Sequence, residues 1–193
     1  MALTESRMLP LGKEAPRFTL PDCEGAEHSL EDAGDAPATL IMFICNHCPY
    51  VKHVREELAR LARDYTLRDV AVFAINSNNA ETHPDDSPEK MREEAARWDY
   101  SFPYLVDEDQ SVAKAYGAAC TPDFFVFDAD RRLAYRGQLD DSRPGSDVPV
   151  TGAHLRAALD AVLAGEPVPE PQKPSIGCNI KWKPGNEPEW FAA

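Results

Sequence analysis

The chain has 193 residues, of which 43% are hydrophobic and 27% charged. This composition is typical of one folded domain with a buried core and excludes a disordered or fibrous chain. Its 33 Asp and Glu residues against 20 Lys and Arg give a net charge of −13. A field of this sign repels phosphate backbones and anionic lipids, so we expect neither nucleic acid nor a membrane as a partner.

Neither a secretion signal nor a membrane span is predicted. The N-terminal residues 1–13 lack a long apolar run, and the longest apolar stretch, residues 38–45, is much shorter than a membrane span. The cysteines are too few for a disulfide scaffold in a chain of this length. We therefore expect a cytoplasmic protein whose cysteines act chemically; they are Cys23, Cys45, Cys48, Cys120 and Cys178.

Hydrophobic periodicity predicts the first elements of the fold. Residues 16–30 favour an N-terminal hairpin of two short strands around a turn at Pro21–Gly25. The continuous apolar run at 38–44 is typical of a central strand that is covered on both faces. In residues 51–65 the apolar positions repeat every three to four residues, which predicts a long amphipathic helix.

The middle of the chain continues this alternation. Residues 70–75 predict a second buried strand, and the polar residues 76–86 predict a loop. Ser87 followed by Pro88 is typical of a helix N-cap and first helical residue, so we expect a helix that continues to Trp98.

Five further elements complete the predicted domain. Residues 104–106 favour a short strand, and residues 111–116 favour a helix that Gly117 ends. The apolar run 124–127 and its return at 132–137 predict a hairpin. A last helix is expected over 151–165. Strands that alternate with helices in this way predict an α/β sandwich with helices on both faces of the sheet.

The composition changes from Glu166 onward. Six prolines follow, at positions 167, 169, 171, 174, 184 and 188, and they predict that this part contains neither a helix nor a central strand. The same segment contains Trp182, Trp190, Phe191 and Cys178, which is unlike a solvated linker. We expect residues 166–193 to form an extended tail that packs on a domain of residues 1–165.

The candidate chemistry lies at Cys45-Asn46-His47-Cys48, between the predicted central strand and the long helix. At a helix N-terminus, unpaired backbone N–H groups and the positive end of the dipole favour a thiolate. With Asn46 as the N-cap, Pro49 falls in the first turn. We then expect Cys45 to be the exposed, ionised thiol that attacks a substrate disulfide, and Cys48 the covered thiol that resolves the mixed disulfide.

His47, between the two cysteines, has two possible interpretations. A partly protonated His47 would lower the pKa of the neighbouring thiol further and make the pair more oxidising. An exposed loop residue is the alternative for His47. His83, Asp85 and Asp86 are interpreted as part of a solvated loop rather than as a metal site.

The strand, Cys-x-x-Cys and helix arrangement resembles the thioredoxin fold. It is most similar to the group shared by thiol-specific antioxidant proteins and thiol-disulfide oxidoreductases with an elaborated N-terminus. Residues 12–20 with Asp22 and Gly25 resemble the opening hairpin of that group. Segments 45–52 and 175–182 are similar to an uncharacterised bacterial subgroup. The resemblance covers most of residues 12–165 and implies a thioredoxin-like sandwich with a central mixed sheet.

A second matching position is Thr121-Pro122. The resemblance implies a cis bond before Pro122, which would face the active cysteines, and pairing of the preceding backbone with a bound substrate chain. The chain departs from thioredoxin itself at Ile44, where thioredoxin has a tryptophan. It also departs from peroxiredoxins, because Pro-x-x-x-Thr/Ser-x-x-Cys fits neither Cys45 nor Cys48.

These observations predict an enzyme, a thiol-disulfide oxidoreductase that cycles Cys45 and Cys48 without a metal or organic cofactor. Its expected partners are a protein or small-molecule disulfide and a cellular thiol reductant. Two alternatives stay open: a thiol peroxidase, and a non-enzymatic protein that holds zinc through Cys45, Cys48 and Cys178. Cys178 is interpreted as a packed cysteine in preference to a third redox thiol, and Cys120 as a side target for oxidation.

Overall fold

A five-stranded sheet lies at the centre of the structure, a computed structural model that describes residues 3–192. In chain order the elements are β1 (Leu3–Glu5), β2 (Thr19–Pro21), β3 (Glu27–Ser29), β4 (Ala38–Phe43), α1 (Pro49–Thr66), β5 (Ala71–Asn76), α2 (Pro88–Trp98), β6 (Tyr104–Val106), α3 (Ser111–Tyr116), β7 (Cys120–Thr121), β8 (Asp123–Asp128), β9 (Leu133–Gly137), α4 (Ala153–Ala164) and β10 (Ile176–Asn179). Short 3-10 helices occupy Leu30–Ala33, Pro84–Asp86 and Glu189–Ala192. No helix within the described part of the chain is long and apolar enough to cross a membrane.

The central sheet is mixed, in the strand order β6-β5-β4-β8-β9. Strand β4 pairs parallel with β5 and antiparallel with β8. The pair β5 and β6 is parallel, and the pair β8 and β9 is antiparallel. All six residues of β4 are buried, which confirms the predicted central strand.

Both faces of this sheet are covered, as the continuous apolar run of β4 predicts. Leu40 and Met42 pack against apolar residues of α1 and α4. Ile41 and Phe43 point to the opposite face and pack against α3, the β2–β3 hairpin and the C-terminal tail. The alternation of β4 side chains between two cores therefore confirms an α/β sandwich with helices on both sides.

Local sequence signals set several element boundaries. The Ser87 side chain accepts a hydrogen bond from the Lys90 backbone N–H at 3.4 Å, and Pro88 is the first residue of α2, which confirms the predicted cap. Gly117 ends α3 with a φ of +62°, a left-handed conformation that glycine adopts readily. Residues 19–29 form the predicted hairpin as strands β2 and β3.

The tail contains a strand that the sequence analysis excluded. Strand β10 lies between β1 and β7 in a three-stranded antiparallel sheet, so the prediction of no central strand is wrong. No proline falls within Ile176–Asn179, so every residue of this strand retains its backbone N–H. Further along, Trp182 is only 9% exposed and packs on the core beneath the sheet with Trp190 and Phe191 against it.

A buried carboxyl group joins the tail to the domain. Ser6, just after β1, donates its hydroxyl to Asp123 Oδ1 at 2.7 Å and accepts the Ser175 backbone N–H at 2.9 Å. Burial raises the pKa of Asp123 from its ordinary value of 3.8 to about 7, although the hydrogen bond from Ser6 acts in the opposite direction. Asp123 is therefore neutral in the native state over a pH range where the unfolded chain ionises it.

The substitution Asp123→Asn replaces the buried carboxyl group with an amide that does not titrate. A raised native pKa stabilises the fold below pH 3.8, and this contribution is lost as the pH rises through about 7. Relative to Asp123→Asn, the free energy of unfolding of the wild-type protein should fall by on the order of 4 kcal/mol between pH 4 and pH 8. Urea denaturation across this range measures the difference. Asp130→Asn, at an exposed carboxyl after β8, is the control, and a constant offset between wild type and Asp123→Asn would contradict the assignment.

Candidate active site

The site lies where β4 ends and α1 begins. Helix α1 starts at Pro49 with Cys48 as its N-cap, so the predicted cap at Asn46 is wrong, while Pro49 does occupy the first turn. The Asn46 side chain is engaged elsewhere: it donates to the Asp85 carbonyl at 2.9 Å and accepts from the Tyr104 hydroxyl at 3.0 Å. These bonds to the neighbouring loop and strand hold Asn46 ahead of the helix.

Cys45 is covered rather than exposed. The residue is 1% accessible, which contradicts the predicted exposed thiol. Its Sγ lies 3.2 Å from the Thr121 hydroxyl. Burial raises the pKa of Cys45 well above its ordinary value, and hydrogen bonding to Cys48 and the charge of Asp86 raise it further. The expected thiolate at Cys45 is therefore wrong for this state of the protein, because desolvation outweighs the effect of the helix end.

Cys48 lies close to a third cysteine. Its Sγ is 2.8 Å from Cys178 Sγ, and it shares the neighbour Thr121 with Cys45. Hydrogen bonding from Cys178, and then from Cys45, lowers the pKa of Cys48 despite its burial, and the backbone N–H groups of Val51 and Cys178 act in the same direction. Among the three cysteines, these effects favour the negative charge on Cys48.

Asp86 fixes the loop around the first cysteine. Its Oδ1 accepts the backbone N–H of Asn46 at 2.7 Å, and its Oδ2 lies 2.5 Å from His47 Nδ1 and 3.0 Å from Asn78 Nδ2. Burial by itself raises the pKa of Asp86, but the hydrogen bonds from His47, Asn46 and Asn78 outweigh it, and the resulting pKa is below normal. A buried carboxylate thus orders residues 46–47 through backbone and side-chain contacts.

The prediction of a solvated loop at residues 76–86 holds for Asp85, which is exposed, and is wrong for Asp86. Asp86 is buried, and the ring of His83 lies against that of His47 with centroids 4.6 Å apart. His47 itself has a side chain that is 12% exposed, so the exposed-loop alternative is also wrong. One signal identifies this loop: it follows β5, which runs parallel to β4, and the carboxyl ends of parallel strands meet at one edge of a sheet.

One cluster in residues 3–192 brings three metal-ligand types together. The ligand atoms of Cys45, His47 and Asp86 lie within 4.8 Å of one another. This cluster differs from the Cys45, Cys48 and Cys178 set of the zinc alternative. It offers three ligands where structural zinc takes four, and both Asp86 oxygens already accept hydrogen bonds. The hydrogen bonds explain the cluster as the support of the Cys45 loop.

Thr121 and Pro122 cover the cysteines from the opposite side. The peptide bond between them is cis, as the resemblance implies. Besides its contact with Cys45, Thr121 accepts a hydrogen bond from the Cys48 thiol at its carbonyl oxygen, over 3.3 Å, a bond that the Cys48 thiolate does not make. The backbone of Thr121, expected to pair with a substrate chain, pairs instead with Cys178 of β10. The buried Cys120 directs its sulfur to the Pro122 carbonyl at 3.7 Å, within the same small sheet.

Two cysteines between the end of a strand and the start of a helix, with both sulfurs against the residue before a cis-proline, define a thioredoxin-like thiol redox protein. The AhpC/TSA family matches residues 11–136. This segment is more than half of the 193 residues. The chain belongs to the AhpC/TSA family.

Known proteins similar to this chain extend the comparison. An uncharacterized conserved protein from Geobacillus kaustophilus is 62% identical, with a TM-score of 0.93 over 95% of this chain and 98% of its own. A hypothetical protein from Sinorhizobium meliloti 1021 is 54% identical, with a TM-score of 0.92 over 93% and 98%. The thiol-disulfide oxidoreductase ResA of Geobacillus thermodenitrificans is 28% identical over 130 residues, 67% of this chain and 70% of ResA. The ResA similarity and the family match support a thiol redox role and an oxidoreductase-type activity at the level of the family.

The substitution Asp86→Asn tests the support of the loop. A lowered native pKa stabilises the fold above pH 3.8, and this contribution is lost as the pH falls through the native value below 3.8. At pH 7 we expect Asp86→Asn to lower the free energy of unfolding by about 1–3 kcal/mol, because buried N–H groups lose their charged acceptor. The deficit should shrink below pH 4, as measured by urea denaturation.

Asp85→Asn is the matched control for this experiment. Asp85 is the neighbouring carboxyl residue, but it is exposed and contributes its backbone carbonyl to Asn46. We expect its stability to stay within about 0.5 kcal/mol of wild type. Equal effects of the two substitutions at pH 7 would contradict a specific role of the Asp86 carboxylate.

Proposed function

We propose that the protein is a thiol-disulfide oxidoreductase that cycles Cys45 and Cys48 between dithiol and disulfide. The observation that carries this proposal is the placement of both cysteines at the start of α1 with each sulfur against Thr121. Cys45 Sγ lies 3.2 Å from the Thr121 hydroxyl, and Cys48 Sγ lies 3.3 Å from the Thr121 carbonyl oxygen. Two thiols that share one neighbour at a helix N-terminus need little movement to form a disulfide. The similarity to ResA, a thiol-disulfide oxidoreductase, supports the same activity.

The first step is a proton transfer within the pair. In the proposed cycle the proton of Cys45 passes to the thiolate of Cys48. Because Cys48 has the lower pKa, this transfer is uphill, and the reaction with substrate draws it forward. The resulting Cys45 thiolate attacks one sulfur of a substrate disulfide, and the other substrate sulfur leaves as a thiolate. Cys48 acts as the base for Cys45 in this proposal.

The second step resolves the mixed disulfide. Cys48 gives up its proton to the first leaving thiolate and attacks Sγ of Cys45. The Cys45–Cys48 bond forms, and the second substrate sulfur leaves as a thiolate and takes up a proton from water. The substrate gains two electrons and two protons. The protein, which starts with Cys48 as a thiolate, loses two electrons and one proton, and water supplies the second proton.

A cellular thiol reductant returns the protein to the dithiol, and a protein or small-molecule disulfide is the substrate class. Both steps need access to Cys45, which is 1% exposed at rest. We propose that the loop of residues 76–86, which carries His83 and Asp86, moves aside when substrate binds, because it is held to residues 46–47 by contacts that involve side chains rather than by a strand pairing. The cytoplasmic location stays a prediction.

Three variants test the two roles. Cys45→Ser should lower the turnover of insulin disulfides with dithiothreitol at least about 100-fold, because the attacking thiol is absent. Cys48→Ser should accumulate a mixed disulfide on Cys45, detected by mass spectrometry of the intact protein. Cys23→Ser, at a partly buried cysteine outside the site, should keep wild-type turnover.

Other outcomes distinguish the alternatives. Full turnover by Cys45→Ser would overturn the assignment of Cys45. Rapid consumption of hydrogen peroxide without turnover of disulfides would select the thiol peroxidase. One equivalent of bound zinc, with loss of fold on chelation, would select the zinc protein.

A further inference from the structure

Cys178 is a thiol that the proposed cycle does not use, although it lies against that cycle's second cysteine. Its Sγ is 2.8 Å from Cys48 Sγ, across 130 positions of sequence. A disulfide bond is about 2.05 Å long, so the two atoms need to approach by less than about 1 Å to bond. Both residues are buried, with Cys48 0% and Cys178 3% exposed. This contact is closer than the packing that the sequence analysis expected for Cys178.

The strand that carries Cys178 is built for close approach to the site. In β10, Cys178 lies opposite Thr121, whose carbonyl also contacts the Cys48 sulfur. Next to it, a Cβ on Gly177 would lie 2.0 Å from the Thr121 carbonyl oxygen, a distance that only glycine accommodates. Strand β1 pairs with the other edge of β10 and holds it in place. The position of Cys178 is therefore fixed by backbone pairing on two sides.

We propose that Cys178 is a third redox thiol, which accepts the disulfide from Cys45 and forms a Cys48–Cys178 disulfide. This inference rests on the proposed oxidoreductase function and extends it. Cys48 is the sulfur shared by both bonds, since it lies 2.8 Å from Cys178 and shares the neighbour Thr121 with Cys45. The oxidised protein then exists in two forms, one with the disulfide at the Cys45 loop and one with the disulfide beneath β10.

The exchange between these forms balances without an external oxidant. The Cys178 thiolate attacks Sγ of Cys48 in the Cys45–Cys48 disulfide. The Cys48–Cys178 bond forms, the Cys45–Cys48 bond breaks, and the electron pair goes to Cys45, which leaves as a thiolate. Cys45 takes up the proton that Cys178 released, so the protein as a whole is neither oxidised nor reduced.

The exchange changes both Cys45 and the C-terminal tail. Cys45 returns to a thiol while the protein remains oxidised, and the C-terminal tail becomes covalently linked to the start of α1. Reversal by attack of Cys45 on Cys48 restores the outer disulfide for reduction. Cys178 thus allows the protein to keep one disulfide inside the fold, as the Cys48–Cys178 bond, and we call this bond the disulfide store.

Disulfide mapping in full-length variants tests the store. Each protein is oxidised with diamide, quenched in acid, alkylated and digested for mass spectrometry. Cys45→Ser should form the Cys48–Cys178 disulfide, and Cys178→Ser should form the Cys45–Cys48 disulfide. Oxidised wild type should contain both, in amounts within about tenfold of each other. Cys120→Ser, at an equally buried cysteine on the adjacent β7, should match wild type.

The outcomes separate this inference from the proposed function. If Cys45→Ser retains two alkylatable thiols at Cys48 and Cys178 while Cys178→Ser oxidises normally, the store is overturned and the Cys45–Cys48 cycle stands. If Cys178→Ser also fails to form its disulfide, the proposed function falls as well. The wild-type protein gives a further test by itself, in which the alkylation of Cys178 is measured as oxidation proceeds. Complete alkylation of Cys178 at every level of oxidation would overturn the store.

Discussion

The position of the Cys48 sulfur at the first turn of α1 determines the chemistry of the site. Hydrogen bonding with Cys178 and Cys45 lowers the pKa of this sulfur, and backbone N–H groups from α1 and β10 add to the effect. These contacts favour the negative charge on Cys48, which is fully buried. A single proton transfer from Cys45 to Cys48 is therefore needed to place the negative charge on Cys45, the sulfur that we propose to attack the substrate.

Asp86 gives the opposite electrostatic environment to the first cysteine. Its charge and the burial of Cys45 both raise the pKa of that thiol, while its hydrogen bonds order the loop around it. Cys45 is consequently neutral and covered in this structure. Neutral, covered thiols react slowly with oxidants, so this arrangement protects the sulfur that we propose to attack the substrate.

Local patterns predicted the elements that form the frame of the site. The apolar run of β4, the periodicity of α1 and the Ser87-Pro88 cap each depend on neighbours in sequence, and the structure retains all three. The parts that the sequence analysis missed depend on contacts between distant residues. The high proline content hid β10 from prediction, because the prolines flank that strand and do not fall within it. The role of Asp86 could not be predicted from its own neighbours in sequence, because it depends on the pairing of β4 with β5.

The ionisation of the three sulfurs tests the account most directly. Cysteine labelled with ¹³C at Cβ reports the thiol and thiolate forms of each residue by NMR, and single substitutions assign the signals. The account predicts that, in the reduced protein at pH 7, Cys48 is the thiolate while Cys45 and Cys178 are thiols. A titration in which Cys45 ionises first and Cys48 remains a thiol at pH 7 would contradict it.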